Sequence, residues 1–373
     1  MAIQAKGNVN MRTLLKRALF GVAFTATVAA TAFAVSSPAA AAGKKDFRVA
    51  WSIYAGWMPW GYAADSGIMK KWADKYGIKV EIVQINDYVE SINQYTAGAF
   101  DGCVMTNMDA LTIPAAGGVD STALISGDYS NGNDGIVLKT GKTLKDIKGQ
   151  KVNLVELSVS HYLLARGLDS VGLREKDVKV VNTADADIVS AFTSSPDVTA
   201  TVTWNPQLSE VAKAQGATMV FDSSKVPGEI IDLMVVNSAT MKDNPALAKA
   251  LVGAWYEVMG LMTRPDTPEG KAALEAMAKA SGTDLAGYKQ QLVTTKMFYT
   301  PTEAAAFASG GDLIKTMDLV RTFSFDHGLL GEGARSRDAV GIVFPGGTVL
   351  GDAKNVKLRF DAAVMKQAAD GTL

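Results

Sequence analysis

Asp101, Asp109, Asp128, Asp134, Glu156, Glu229 and Asp232 fall within residues 51–62, 101–111, 126–135, 154–162, 201–206 and 227–234, segments that contain no Lys or Arg. The same segments carry Trp51, Tyr54, Trp57, Trp60, Tyr62, Tyr129, Tyr162 and Trp204. Acids beside aromatic faces suit a cation, held by charge-assisted hydrogen bonds and by ring quadrupoles. An anion would ordinarily be met by Arg or Lys, although helix N-termini with free backbone N–H groups can also serve. The pattern points to a small organic cation as ligand.

The candidate ligand contacts are Trp57, Trp60, Asp109, Asp128, Glu156, Ser158, Ser160, His161, Trp204, Glu229 and Asp232. Each also has a plainer role open to it. Trp57 and Trp60 sit in a charge-free stretch and either cover a core or roof a pocket. Asp109 follows a strand and opens a helix, where it could be an N-cap. Asp128 and Asp134 suit turns, favoured there by Asx hydrogen bonds. Glu156 ends an apolar strand, so a buried charge there needs a partner. Ser158, Ser160 and His161 open a helix and could cap it. Glu229 and Asp232 flank Ile230-Ile231, so one of them is expected to face solvent. Asp101 beside Gly102 reads as structural.

Covalent chemistry is poorly served. His161 and His327 are the only histidines, and Ser158-Val159-Ser160-His161 is not the Gly-x-Ser-x-Gly nucleophile turn. With Cys103 the sole cysteine, a disulfide framework and a thiolate zinc site are excluded. No Asp-x-Asp-x-Asp loop and no phosphate-binding Gly-x-x-x-x-Gly-Lys motif occur, so neither a metal nor a cofactor is expected. Near-zero net charge without a basic block gives no footprint for nucleic acid.

These segments need a scaffold, and the pattern supplies one. Strand-like runs at Phe47 to Ile53, Val80 to Ile85, a short run ending near Thr106, and Val119 to Ile125 alternate with helical stretches. A second series runs from Lys151 to Phe221. Alternation of this kind predicts α/β units with parallel-rich sheets, whose ligands lie at the carboxyl ends of the strands. The Gly/Asn-rich stretch 127–135 and the stretch 229–237 read as two crossings between lobes. The expected division is 1–42 as leader, 43–133 as lobe 1, 134–232 as lobe 2, and 233–373 as the return to lobe 1 with a C-terminal helical extension.

The leader has a basic start (Arg12, Lys16, Arg17), an apolar run from Ala18 to Val35, and the small-residue stretch Ala39 to Ala42, which reads as a cleaved secretory signal peptide. Residues 1–42 hold Lys6 and those three bases and no acid, so the remainder carries a net charge of about −5 in place of −1.

Several segments carry a family resemblance: Phe100-Asp101-Gly102 before Thr106-Asn107-Met108-Asp109-Ala110, the stretch Leu144 to Val152, Ser160-His161-Tyr162-Leu163-Leu164, and Trp204-Asn205-Pro206. In order and spacing, over about residues 46–260, the chain resembles periplasmic solute-binding proteins of ATP-binding-cassette (ABC) importers in the nitrate/sulfonate/bicarbonate (taurine-like) class. The resemblance implies the type II two-lobe fold with a ligand cleft between lobes, a periplasmic location and a partner permease in the inner membrane; the chain reads as a monomeric or weakly associated receptor without enzymatic activity. Gly56-Trp57-Met58-Pro59-Trp60-Gly61, with Asp87 to Tyr95, resembles a branch linked to urea or guanidine use. Guanidinium is therefore the first expectation and urea the second. Another small amide or ammonium compound, a sulfonate or nitrate, and an enzyme on the same fold such as a pyrimidine-precursor synthase, are the alternatives.

Overall fold

The computed structural model describes residues 43–373, and the expected leader lies outside the described residues. The large sheet starts with β1 (Asp46–Trp51), β2 (Lys79–Gln84), β3 (Gly102–Thr106) and β4 (Ser121–Ser130). The chain then leaves for a small sheet of β5 (Asp134–Leu138), β6 (Lys151–Leu154), β7 (Lys179–Asn182), β8 (Ala200–Trp204) and β9 (Thr218–Asp222). It returns through β10 (Ile231–Asn237) and adds β11 (Thr295–Met297), β12 (Gly341–Val343), β13 (Val349–Leu350) and β14 (Val356–Phe360) to the large sheet.

The large sheet runs β13-β12-β14-β4-β10-β3-β1-β2, with β11 beside β4, and the small sheet runs β7-β6-β8-β5-β9. β1 is parallel to β2 and β3, and β6 to β7 and β8. The strand that follows each crossing runs the other way: β5 is antiparallel to β8 and β9, and β10 to β3 and β4. β4 and β10, paired side by side, are thus the strands through which the chain leaves the large sheet and re-enters it.

Strands that are nearly all apolar, such as β3, β5 and β8, are buried along their whole length, as expected where helices cover both faces of a sheet. Local chemistry sets the helix boundaries. Asp87 accepts from Glu90 N and starts the helix Tyr88–Thr96. Thr106 accepts from Asp109 N and starts the turn Asn107–Ala110. Two helices follow β1, because Gly67 takes φ of +79° and separates Met58–Asp65 from Ile68–Lys75.

The C-terminal region differs from the expected helical extension. Helices fill 301–326, but 341–360 contributes three strands to the large sheet, with β14 parallel to β4. These strands are two to five residues long and separated by glycine turns, too short for a period-two pattern to register. Among the described residues no helix is long and apolar enough to cross a membrane.

Candidate ligand-binding site

Between the two sheets lies a cavity enclosing about 250 Å3 of space not filled by atoms. Tyr54, Trp57, Tyr88 and Asp232 line it from the large-sheet side, and Asp134, Val159 and Trp204 from the small-sheet side. Its freely accessible part is on the scale of a single water molecule, so the walls stand nearly in contact. A neighbouring cavity of about 190 Å3 shares Trp57 and Asp232 and extends inward to Asp128, Trp60 and Trp255.

The aromatic wall is continuous. Trp57 meets Tyr54 edge-on at 5.1 Å and Tyr88 at 5.5 Å between ring centroids, and Tyr88 meets Trp204 edge-on at 5.7 Å. Trp204 ends β8 and Trp57 follows the turn after β1, so this contact chain joins the two sheets through side chains offered at strand ends.

Behind the aromatics stands a group of buried acids. Asp128, Asp134 and Asp232 are 0%, 2% and 3% exposed. Burial, with repulsion from Asp134, pushes Asp128 up to about 7 despite the hydrogen bond it accepts from Tyr54 Oη at 3.2 Å. Burial likewise raises Asp134 to about 7. Asp232 rises well above the usual carboxylate range, through burial and then repulsion from Asp128. Each of the three keeps one oxygen, Oδ2, without a partner. No Lys or Arg lines either cavity.

Asp109 is a neighbour of a different kind. It is fully buried and accepts from Tyr88 Oη at 2.6 Å and Thr106 Oγ1 at 2.8 Å, while burial lifts it to about 6. It thereby fixes the Tyr88 ring that forms part of the cavity wall. Its second oxygen is unpartnered as well.

Of the residues expected from sequence, Trp57, Trp204 and Asp232 line the main cavity, and Trp60, Asp128 and again Asp232 the inner one. Trp60 stacks on Trp255 at 4.9 Å and reaches only the inner space. The rest stand elsewhere. Glu156 is exposed and lines an outer groove with Asp87, Glu90 and Asp185, its backbone N–H donating to Asn182 Oδ1. Ser158 is occupied as the cap of the helix Val159–Ser170, accepting from Ser160 N and donating to Val155 O. Ser160 is buried with an unpartnered hydroxyl but lines neither cavity. Glu229 is taken by Arg166, at 2.8 and 3.0 Å, and by Tyr162 Oη at 2.6 Å.

His161 is engaged as well, its Nε2 facing Glu175 and its Nδ1 accepting from Leu157 N–H at 3.1 Å. His327, at the end of the helix Gly311–Asp326, turns its own Nε2 to the same carboxylate and its Nδ1 to Phe323 O at 2.8 Å. Burial alone would raise Glu175, but the hydrogen bonds from His161 and His327 outweigh it and hold the acid down at about 2.

Tyr54, Tyr88, Thr106, Asp134, Val159 and Ile230 complete the main wall and are not among the contacts expected from sequence. Asp134 reads as a turn residue there, and Tyr54 was one aromatic among eight. Tyr88 follows the carboxyl end of β2, so the strand-end rule itself could have found it had that loop been included. Among the described residues no group of three or more His, Cys, Asp or Glu side chains is arranged to hold a metal ion.

The profile of the NMT1/THI5-like family matches residues 66–264. The chain belongs to that family. A candidate binding protein of Brucella abortus (strain 2308) is 30% identical over 103 residues, which are 27% of this chain and 31% of the relative, so the match spans under a third of that protein. The alkanesulfonate-binding protein SsuA of Xanthomonas axonopodis pv. citri, bound to MOPS, superimposes with a TM-score of 0.64 at 16% identity, covering 78% of this chain and 96% of SsuA. The periplasmic nitrate-binding protein NrtA of Synechocystis PCC 6803 does so with a TM-score of 0.54 at 13% identity, covering 88% and 99%. At these identities the likeness establishes the fold, which is the two-lobed α/β architecture of periplasmic binding proteins.

Proposed function

We propose that this protein is the extracytoplasmic solute receptor of an ABC importer, and that it captures a small nitrogen-rich cation, guanidinium before others, by closing two lobes over it. The lobes in this reading are centred on the large and small sheets. The receptor works as a monomer in the periplasm and presents its closed form to a permease in the inner membrane. It performs no catalysis.

The observation that carries the ligand is the trio Asp128, Asp134 and Asp232: buried, with one free oxygen each and no basic residue in either cavity wall. Buried carboxylates without a counter-ion are costly, and a cation relieves the cost. Guanidinium is planar, always charged, stacks on aromatic faces and donates in its plane to carboxylates. The proteins of similar fold are named for sulfonates and nitrate, but an anion placed here would be repelled by the acids and met by no base.

Urea is the second reading, and one atom favours it. Trp57 Nε1 is a buried donor without a partner; a urea carbonyl could accept from it, whereas guanidinium offers no acceptor.

Calorimetric titration with guanidinium, urea, choline, taurine and nitrate decides among these. We expect guanidinium to bind most tightly and, at low millimolar concentration, to raise the melting temperature beyond what sodium chloride does, a denaturant acting as a stabiliser. Tight binding of taurine or nitrate with none of guanidinium would sink the cation reading. Conversion of a titrated ligand into product would sink the receptor reading.

A further inference from the structure

The turn after β1 passes closer to the acids than any residue but glycine allows. A Cβ built on Gly56 would stand 2.6 Å from Asp128 Oδ2, 3.0 Å from Asp128 Cγ and 2.6 Å from a ring carbon of Tyr54. Gly56 is not among the residues with positive φ, so backbone freedom does not explain it. The missing atom does: the space a side chain would fill is occupied by the carboxylate and the edge of the Tyr54 ring.

Neither partner can move aside cheaply. Asp128 is fully buried on β4 and receives the Tyr54 hydroxyl. The turn is pinned on both sides of Gly56: Tyr288 Oη donates to Ala55 O at 2.9 Å, and Trp57 N–H donates to Tyr54 O at 2.9 Å. Ala55 N–H donates in turn to Asn205 O at 3.3 Å, just beyond β8 in the small sheet. One four-residue turn therefore touches the acid through Gly56, supplies Trp57 to the cavity wall, and hydrogen-bonds across to the opposite sheet.

From this packing we infer that Gly56 is a positioning residue for the ligand site: by leaving room for the Asp128 carboxylate it sets where that charge stands relative to Trp57 and Asp232, and so sets affinity for a cation. The inference rests on the cation reading above but names a residue that touches no ligand. With a methyl group at 56, either Asp128 turns out of line with Asp232 or the turn lifts, carrying Trp57 with it.

The test is a double-mutant cycle of Gly56→Ala and Asp128→Ser, read by calorimetric titration with guanidinium and by thermal unfolding. Gly56→Ala alone should weaken guanidinium binding about tenfold or more. In the Asp128→Ser background, where the carboxylate is gone and the Tyr54 ring is freed from its hydrogen bond to it and can turn aside, the same change should cost less than about threefold. Gly56→Ala should also shift the pH dependence of affinity, because parting Asp128 from Asp232 removes the repulsion that Asp128 exerts on Asp232, a readout that general loosening of the turn would leave in place. Equal losses in both backgrounds, or wild-type affinity with an unmoved pH profile, would overturn the inference. If the wild-type protein binds no guanidinium, the cation reading fails, while the cycle is still read on the melting temperature of the free protein. Relief of the Gly56→Ala penalty by Asp128→Ser then supports the packing relation, and an unrelieved penalty overturns it.

Discussion

Asp128 and Asp232 are direct partners in the antiparallel ladder of β4 and β10. Like charges placed opposite one another weaken a sheet, and here the pair is also buried. The sheet tolerates them ligand-free only if the carboxyl groups are held partly protonated, which is the direction in which both are shifted. Such a pair stabilises the empty fold poorly and is well placed to receive positive charge.

A pH dependence with opposite signs in the two states follows. A permanently charged cation binds the ionised acids, so affinity for guanidinium should rise from pH 5 to pH 8 through the region near 7 set by Asp128 and Asp134. The expected gain is about tenfold or more. For the free protein the sign reverses. A carboxylate raised in the folded state contributes stability that is complete below its unfolded value, about 4, and lost as pH rises through the folded one. Calorimetry across that range and thermal melts of the free protein test both halves, and an affinity flat in pH would contradict the first.

Replacing Asp232 by Asn separates binding from stability. Where both acids are ionised the substitution removes a buried charge that faces another, so at alkaline pH the free protein should melt about 2–4 °C higher. Guanidinium affinity should fall about 100-fold, because one member of the receiving pair has gone. A variant that loses both stability and affinity would mean that Asp232 is needed for the fold itself.

Trp204 carries the small sheet's share of the aromatic wall. Trp204→Ala should weaken guanidinium about 5- to 30-fold, while Trp204→Phe, which keeps a ring face, should retain most of the affinity. Equal losses in the two variants would show that the ring's electrostatics are irrelevant.

The contact of His327 with Glu175 ties the helix Gly311–Asp326 to the short turn Glu175–Asp177 between helix Val159–Ser170 and β7. Both ring nitrogens of His327 face acceptors, Glu175 first, so the imidazolium form is favoured and its pKa is raised. Its contribution is therefore complete below about 6.5 and lost as pH rises through the folded value. Glu175, held low, adds its share at any pH above about 4.5. His327→Gln should lower the melting temperature by about 1–3 °C between pH 5 and 6.5 and by little at pH 9. A loss equal at both pH values would assign His327 to packing against Phe323, on which it stacks at 4.0 Å.

The alternating strand and helix pattern made most of the scaffold legible, and strand-end reasoning reached Trp57, Trp204 and Asp232. It did less well wherever the outcome depended on a partner far away in the chain. Glu229 and Asp232 are three residues apart and look equivalent, yet Arg166 captures the first while the ladder with β4 buries the second. Excluding bases from the loops said nothing about a base on a helix. Glu156 ends a strand like a ligand contact but faces outward. Tyr88 stands just past the carboxyl end of β2, but that Asp109 and Thr106 fix its hydroxyl depends on contacts distant in the chain. Two carboxylates on strands about a hundred residues apart become neighbours only through register, which no local pattern encodes.

β4 and β10 are also the strands by which the chain leaves the large sheet and comes back to it. In a receptor that opens by turning one sheet against the other, the torsion falls on the ladder that holds Asp128 opposite Asp232. Two of the three counter-charges for the cargo then sit on the pivot, with Asp134 on the small-sheet jaw. Opening would twist the two carboxylates out of register with each other at the moment the aromatic walls part, so letting go would require no separate trigger.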